Sequence, residues 1–208
     1  MLKLYITRHG ETVWNTEKRM QGWGDSELTE NGVRNAELLR DRLKDTDFAA
    51  IYSSPSKRAR LTAELIKGER ELPVILEDNL KEIHLGEWEG RTVTEIEKTD
   101  PDRFHLFWNA PHFYEPQGGE SYEELRNRLT AFLKNAEGTH PSGNVLIVTH
   151  SAVIKMLSAI FKELPLEKLW DPPYIHDTSL TIAEIDGRGC NIIIEGDISH
   201  RLDVQGTN

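Results

Sequence analysis

Two histidines and two arginines occur at points of the sequence from which they could act together on one anion. Arg8 and His9 follow directly after a short apolar run, His150 follows another, and Arg58 lies in the first turn of a predicted helix. Each residue alone is ambiguous, because histidines at strand ends and arginines near helix starts are usually structural or solvated. As a set they supply the cationic donors that three non-bridging phosphoryl oxygens need while the bond to the leaving oxygen stretches. The set predicts phosphoryl chemistry, provided that the fold brings the four side chains together.

Predicted strands alternate with predicted helices, which favours an α/β sheet with mostly parallel strands. The strand candidates are the apolar runs at residues 2–6, 48–52 and 144–149. The third run is continuous, as is typical of a strand buried on both faces. Ligands collect at the carboxyl ends of such strands, beside helix N-termini. We therefore expect His9 and His150, which are far apart in the chain, to meet at that edge of the sheet.

Capping signals predict where two helices begin. Ser54 followed by Pro55 predicts an N-cap and a proline at the first helical position, so that Arg58 lies in the first turn. Ser121 with Glu124 three residues later predicts a capping box. The loop before this second helix is rich in proline and glycine, which separates the helix from the segment that precedes it.

The end of the chain predicts an antiparallel addition to the sheet. Alternating residues at 179–185, a turn at 186–187 and an apolar run at 192–194 predict a hairpin. No internal repeat or flexible linker divides the sequence. We therefore expect a single domain over residues 1–208, with a three-layer α/β/α fold, a mostly parallel central sheet and an antiparallel edge. A lid-like insertion is expected at about residues 91–120.

The composition excludes several classes of protein. Of the 208 residues 38% are apolar and 29% are charged, which is enough for a core and excludes wholesale disorder. The net charge of −10 repels nucleic acid and anionic membranes, so neither is an expected partner. The apolar runs are too short to span a bilayer, and Arg8 interrupts the N-terminal run before a signal peptide could develop. Because Cys190 is the only cysteine, no intrachain disulfide can form, and a cytoplasmic location is expected.

Four sequence blocks resemble those of the histidine phosphatase (phosphoglycerate mutase-like) superfamily. In chain order they are Thr7-Arg8-His9-Gly10-Glu11-Thr12 followed by Trp14-Asn15 and Gly22-Trp23, Tyr52-Ser53-Ser54-Pro55 leading to Arg58-Ala59 and Thr62-Ala63, Leu80-Lys81-Glu82-Ile83 with Gly86 and Trp88-Glu89-Gly90, and Val148-Thr149-His150. The blocks follow the order of the family, and the four together are far more specific than any one of them. Within the family, the resemblance is closest to broad-specificity phosphatases of bacilli. It implies a phosphoglycerate mutase-like fold.

The resemblance also implies an activity, the hydrolysis of small-molecule phosphomonoesters through a phosphohistidine, without a cofactor or metal. His9 matches the nucleophile, and an imidazole suits this role because it is nucleophilic while neutral. Glu82 matches the residue that protonates the leaving alkoxide and later activates water. The residues that match those holding the phosphoryl oxygens are Arg8, Arg58 and His150. Auxiliary phosphate contacts are implied for Asn15 and Gln21.

The same four sequence blocks are also compatible with two other functions. A cofactor-dependent phosphoglycerate mutase must retain a small acid, so its lid should supply cations for the substrate carboxylate. Residues 104–119 contain neither lysine nor arginine, and this apolar, aromatic segment favours a phosphatase with varied substrates. A non-catalytic module that binds phosphorylated ligands is expected to lack His9 or Glu82, and both are present.

Aromatic residues near the predicted lid divide into two groups. His112, Phe113 and Tyr114 lie in a loop flanked by prolines, and we expect them to contact the substrate. The residues expected to pack in the core or within the lid are Trp88, Phe104, Phe107 and Trp108.

Overall fold

In the computed structural model, which describes residues 1–186 and 189–204, six strands form a mixed sheet with helices on both faces. The elements are β1 (Leu2–Arg8), α1 (Val13–Thr16), α2 (Glu30–Arg42), β2 (Phe48–Ser53), α3 (Lys57–Lys67), β3 (Val74–Leu76), α4 (Val93–Thr99), α5 (Pro101–Asn109), α6 (Tyr122–Thr139), β4 (Gly143–Thr149), α7 (Ser151–Phe161), β5 (Leu180–Asp186) and β6 (Gly189–Asp197). Single 3₁₀ turns at Asp78–Leu80 and Gly86–Trp88 flank the third sequence block. No helix within the described part of the chain is both long and apolar enough to cross a membrane.

The strand order is β3-β2-β4-β1-β5-β6. The first four strands are parallel, whereas β5 pairs antiparallel with both β1 and β6. The expected parallel sheet with an antiparallel edge is therefore confirmed, as is the pairing of the hairpin. Its predicted turn at residues 186–187 includes Gly187, which lies outside the described residues.

Alternate residues of the central strands enter two separate apolar cores. Val145 and Ile147 of β4 pack on the face covered by α6 and α7, whereas Leu146 and Val148 pack on the face covered by α2 and α3. Because side chains of a strand alternate between faces, this division requires helices on both sides of the sheet. The three-layer α/β/α architecture is confirmed, and β4 is buried on both faces as its continuous apolar run predicts.

The predicted start of the helix that carries Arg58 is wrong by two residues. The helix α3 begins at Lys57, and Ser56 is its N-cap. Ser54 instead continues the line of β2, since its backbone N–H donates to the carbonyl of Val148 at 3.0 Å. Its hydroxyl lies 2.7 Å from Nε2 of His150, so it contributes to the site rather than to the helix end.

The segment at residues 91–120 contains α4, α5 and a 3₁₀ turn at Pro111–Phe113, and it ends at the predicted capping box, which is confirmed at the start of α6. Its rings pack edge to face or tilted on one another and on rings outside the segment. Phe107 lies at ring-centroid distances of 5.7 Å from Trp88 and 5.3 Å from Tyr122. This packing confirms the expectation that Trp88 and Phe107 belong to the core.

Candidate active site

His9 follows the last residue of β1 and is 3% exposed. Its Nδ1 lies 2.8 Å from the carbonyl oxygen of Gly10, and because a carbonyl only accepts, the proton is on Nδ1 and Nε2 carries the free lone pair. Burial, with Arg58 and Arg8 nearby, holds the pKa of His9 well below its usual range. His9 is therefore neutral at pH 7, with one nitrogen available as a nucleophile.

The position of the Gly10 carbonyl is determined by a close approach between two backbones. The N–H of Gly10 donates to Oγ1 of Thr62 at 2.9 Å. A Cβ on Gly10 would lie 2.7 Å from the carbonyl oxygen of Gly32 at the start of α2, and a Cβ on Gly32 would lie 2.2 Å from the carbonyl oxygen of Glu11. Only glycine fits at both positions, and this contact keeps the hydrogen bond to His9 in place.

Arg58 is 1% exposed and joins three parts of the site. Its Nη1 donates to the carbonyl of Gly24 at 2.6 Å and to Asp25 at 3.1 Å, and its Nη2 donates to the carbonyl of Gly22 at 2.8 Å. Nη2 also donates to Nδ1 of His150 at 3.2 Å. The loop at residues 22–25 is thus held against α3.

The second arginine, Arg8, donates from Nη1 to the carbonyl of Ile175 at 2.9 Å. The Nε atoms of Arg8 and Arg58 are buried without a hydrogen-bond partner in the part of the chain that the structure describes. Within the same residues, no group of three or more histidine, cysteine, aspartate or glutamate side chains could hold a metal ion. The guanidinium groups of Arg58 and Arg8 place positive charge near His9, and guanidinium groups suit a phosphoryl group.

His150 follows β4 and is the N-cap residue of α7. Its ring centroid lies 5.2 Å from that of His9. Nε2 donates to Oγ of Ser54 at 2.7 Å, while Nδ1 accepts from Arg58, because a guanidinium has no lone pair to offer. Burial, followed by the charge of Arg58, holds the pKa of His150 well below its usual range, so this ring is neutral as well.

Glu82 follows the turn Asp78–Leu80, and its carboxylate lies against the start of α7. Oε2 accepts from the hydroxyl of Ser151 and from the backbone N–H of Ala152, both at 3.3 Å, and Oε1 accepts from the N–H of Ile83 at 2.9 Å. The helix N-terminus favours negative charge at this position. Glu82 also lines the cavity that contains His9.

Two side chains that the sequence motifs do not predict hold the backbone of Glu82. Nε1 of Trp23 donates to the Glu82 carbonyl at 2.9 Å, and Nη2 of Arg128 donates to the same oxygen at 3.1 Å. Arg128 also forms a bidentate pair with Glu120 at 2.6 and 2.8 Å. Trp23 belongs to the first block, but no local signal marks Arg128, because its partners lie in a distant part of the chain.

A cavity of about 500 Å³ opens above His9. Six of the predicted site residues line it, namely Arg8, His9, Asn15, Gln21, Arg58 and Glu82. His150, the seventh, lies behind this cavity and lines a neighbouring one of about 410 Å³ with Ser54 and Glu82. Gln21 is buried, and its Oε1 has no hydrogen-bond partner among the described residues, whereas Oδ1 of Asn15 accepts from the backbone N–H of Thr12 at 3.1 Å.

The residues that form the outer wall of the cavity differ from those expected to contact the substrate. Its aromatic lining is Phe107, Trp108, Trp170 and Tyr174. His112, Phe113 and Tyr114 are absent from the described lining. Tyr114 packs against Phe107 at 5.1 Å, Phe113 is 65% exposed on the outside, and His112 lies 3.9 Å from Glu167. The predicted lid is therefore folded so that α5, rather than the loop after it, faces the cavity.

Three cations line the cavity in addition to the two site arginines, and none comes from residues 104–119. Lys18 and Arg19 follow α1, and Lys155 lies on α7 one turn after Ser151. Lys155 is buried, and its Nζ donates to the carbonyls of Asp171 and Pro173. Burial lowers the pKa of Lys155. The wall of the cavity therefore carries positive charges that the sequence of residues 104–119, taken alone, does not predict.

Comparisons with known proteins agree with this geometry. The structure of YhfR from Bacillus stearothermophilus superposes with a TM-score of 0.92 at 49% identity, over 96% of this chain and 99% of that one. Phosphoglycerate mutase from Bacillus anthracis str. Sterne superposes with a TM-score of 0.82 at 28% identity, over 98% and 96%, which confirms the mutase-like fold. Phosphoserine phosphatase 1 of Hydrogenobacter thermophilus is 37% identical over 170 residues, which are 82% of this chain and 81% of that protein.

The model of one protein family matches nearly the whole chain. Residues 4–197 match the histidine phosphatase superfamily (branch 1). This range includes all four sequence blocks and every residue predicted for the site. The chain therefore belongs to the histidine phosphatase superfamily.

Proposed function

We propose that the protein is a phosphomonoester hydrolase that forms a phosphohistidine at Nε2 of His9. The observation that carries this proposal is the hydrogen bond of 2.8 Å from Nδ1 of His9 to the Gly10 carbonyl. It leaves Nε2 unprotonated at the cavity floor, beside the guanidinium groups of Arg8 and Arg58. Membership of the histidine phosphatase superfamily supports the same activity.

The reaction has two steps, each with a role for Glu82. In the first, Nε2 of His9 attacks phosphorus, the bond from phosphorus to the ester oxygen breaks, and Glu82 gives its proton to the leaving alkoxide. Arg8 and Arg58 hold the phosphoryl oxygens during the transfer. In the second, the Glu82 carboxylate takes a proton from water, the hydroxide attacks phosphorus, and the bond to Nε2 breaks. Inorganic phosphate leaves, and both residues return to their first state.

The shape of the cavity supports a broad range of small phosphomonoesters. Its volume of about 500 Å³ exceeds the space that a phosphoryl group needs, and its outer wall is largely apolar. We assign residues 91–120 to a lid-like insertion of a single domain, because Val93, Phe107 and Trp108 of this segment lie on that wall. The net charge of −10 and the single cysteine support a cytoplasmic protein without nucleic-acid partners.

A second candidate function is the interconversion of phosphoglycerates. Lys18, Arg19 and Lys155 line the cavity and could bind a substrate carboxylate, and a structural relative has the name phosphoglycerate mutase. Because residues 104–119 supply no cation, hydrolysis is the better supported of the two activities.

A panel of phosphomonoesters that includes 3-phosphoglycerate tests the two activities against each other. We expect phosphate release from aryl and alkyl phosphates to exceed any isomerisation, with no requirement for 2,3-bisphosphoglycerate. EDTA should leave the rate unchanged, since Arg8 and Arg58 supply the positive charge that a metal would otherwise bring. Efficient isomerisation that depends on the bisphosphate, or inhibition by EDTA that added metal reverses, would contradict the proposal.

A further inference from the structure

Both ring nitrogens of His150 are occupied by other groups of the protein. Nδ1 accepts from Nη2 of Arg58 at 3.2 Å, and Nε2 donates to Ser54 at 2.7 Å. Nη2 of Arg58 also donates to the Gly22 carbonyl, and Nη1 donates to Gly24 and Asp25. The two side chains that would hold a phosphoryl oxygen are therefore turned toward each other in the free protein.

A phosphoryl oxygen cannot replace Arg58 at this nitrogen without a change of protonation. The oxygen offers only lone pairs, and Nδ1 of neutral His150 offers a lone pair as well. If Nδ1 gains a proton, it can donate to the oxygen, and the N–H of Arg58 that it released can donate there too. Nε2 keeps its proton and its hydrogen bond to Ser54 throughout, because the Ser54 hydroxyl donates its own proton to Oγ of Ser56 at 3.4 Å and so accepts from Nε2.

We propose that binding of a phosphoryl dianion is coupled to the uptake of one proton by Nδ1 of His150, and that Ser54 is the positioning residue that makes Nδ1 the site of uptake. This inference rests on the proposed function, because it requires the phosphoryl group to bind between Arg58 and His150. Solvent supplies the proton. No bond other than the new N–H forms or breaks in this step.

The charges around His150 explain why the proton arrives only with the ligand. Burial and the cations Arg58, Arg8 and Arg128, together with the ring of His9, keep the pKa of His150 low in the free protein. The cavity that His150 lines also contains the carboxylates Glu82, Asp25 and Asp78 and the cations Lys57 and Lys81, and Asp25 pairs with Arg58 at 3.1 Å. The two negative charges of a dianion bound between Arg58 and His150 favour the imidazolium and raise the pKa of His150. Below pH of about 6 a phosphate monoester carries its own proton, so net uptake should decline there.

Calorimetric titration of the full chain with tungstate tests the uptake, because this tetrahedral dianion has no proton of its own at pH 7.5. The slope of the binding enthalpy against the ionisation enthalpy of several buffers gives the number of protons taken up. We expect about one for the unaltered protein and none for His150→Gln. His9→Gln and Glu82→Gln each remove another group of the site that could take the proton, and both variants should retain the uptake. A slope of zero in the unaltered protein, or one that disappears in His9→Gln or Glu82→Gln instead, overturns the proposal.

A nitrogen-15 NMR spectrum of the histidine rings provides a reading that needs no variant of His150. Tungstate should move the Nδ1 resonance of His150 from the range of an unprotonated nitrogen to that of a protonated one. A resonance that stays in place at saturating tungstate overturns the proposal even if His150→Gln fails to bind the anion.

Ser54 has its own test, with a conservative control. In Ser54→Ala the other hydroxyl near Nε2 is that of Ser56 at 3.4 Å, which is too long for a strong hydrogen bond. His150 can then move its single proton to Nδ1, so uptake should fall below half a proton while tungstate still binds. Ser54→Thr should retain about one. Unchanged uptake in Ser54→Ala overturns the positioning role.

Hydrolysis of p-nitrophenyl phosphate, measured on the same samples, separates this inference from the proposed function. Hydrolysis without proton uptake overturns only the inference. Proton uptake without release of phosphate from any ester supports the inference and overturns the hydrolase.

Discussion

The polar end of the cavity and its outer wall are built in different ways. At the polar end, His9, Arg58 and His150 are held by hydrogen bonds to carbonyls and hydroxyls at the edge of the sheet. On the outer wall, the rings of Phe107, Trp108 and Trp170 pack on one another at centroid distances of 4.5 to 5.7 Å, and a hydrogen bond of 2.9 Å from Nε1 of Trp170 to the Phe107 carbonyl adds to this ring packing. Hydrogen bonds are directional and apolar packing is not. We infer that the reaction and the range of substrates depend on separable parts of the molecule.

The largest effect is expected from the nucleophile at the polar end. His9→Ala should lower the rate of hydrolysis by more than about a thousandfold for every ester, because His9 supplies the only imidazole among the described residues that line this cavity. Rapid denaturation of the unaltered enzyme during turnover should trap a phosphoenzyme that is labile in acid and stable in base. An unchanged circular dichroism spectrum serves as the control for folding. A phosphoenzyme that persists in His9→Ala would show that another residue is the nucleophile.

Glu82→Gln should have the next largest effect, and the effect should depend on the leaving group. An alkoxide needs a proton as it leaves, whereas p-nitrophenolate does not, so burst rates for alkyl phosphates should fall by about a hundredfold or more, with little change for p-nitrophenyl phosphate. Burst rates in a single turnover are required, because both substrates share the later hydrolysis step. Equal losses for the two substrates would show that Glu82 is not the proton donor, and Asp25 and Glu11 would be tested next.

A substitution on the outer wall should change the choice of substrate without changing the chemistry. Trp108→Ala removes ring surface that lines the cavity, so kcat/KM for bulky aryl phosphates should fall by about tenfold, the result of losing roughly 1.5 kcal/mol of apolar contact. Glycerol phosphate should be hydrolysed as before. Phe113→Ala is the matched control, since its ring is exposed outside the cavity. Equal losses for small and bulky esters would contradict the separation of the two parts.

The smallest expected effect concerns stability in acid and a histidine outside the cavity. Burial lowers the pKa of His200 from 6.5 to about 4. The unfolded chain binds a proton at His200 near pH 6.5, whereas the folded chain binds it only near pH 4. The contribution of His200 to the free energy of unfolding is therefore fully present above pH 6.5 and is lost as the pH falls toward 4. His200→Gln should reduce the slope of unfolding free energy against pH by at most about 1.4 kcal/mol per unit. Urea titrations between pH 7 and 4.5 measure it, and an unchanged slope would assign acid sensitivity to His9 and His150 at the polar end.

The polar end could be predicted from the sequence, whereas the outer wall could not. Arg8, His9 and His150 end strands whose apolar runs are visible within a few residues, and parallel strands bring such ends to one edge. The contribution of Lys155 and Trp170 depends on the loop after α7, where Trp170 packs on Phe107 of α5 and two carbonyls accept from Lys155, and no local pattern predicts these contacts. Ser54 is an intermediate case. Its local signal, Ser-Pro, predicts a helix start, and only the pairing of β2 with β4 shows that its hydroxyl faces His150.

The register of the sheet has a consequence for how this protein and its relatives can change. Arg8 pairs with Thr149, and Ser53 pairs with Val148. The strands β2, β4 and β1 therefore end next to one another, and the residues that follow them lie side by side at one edge of the sheet. Each step along a strand is about 3.3 Å and turns the side chain to the other face. Adding one residue within β1 or β4 would therefore separate the two imidazoles, and adding one within β2 would turn Ser54 away from His150, even if every residue type were kept. We expect insertions among related chains to occur in the loops between strands and helices. There they can alter the substrate preference while the register of the strands stays the same.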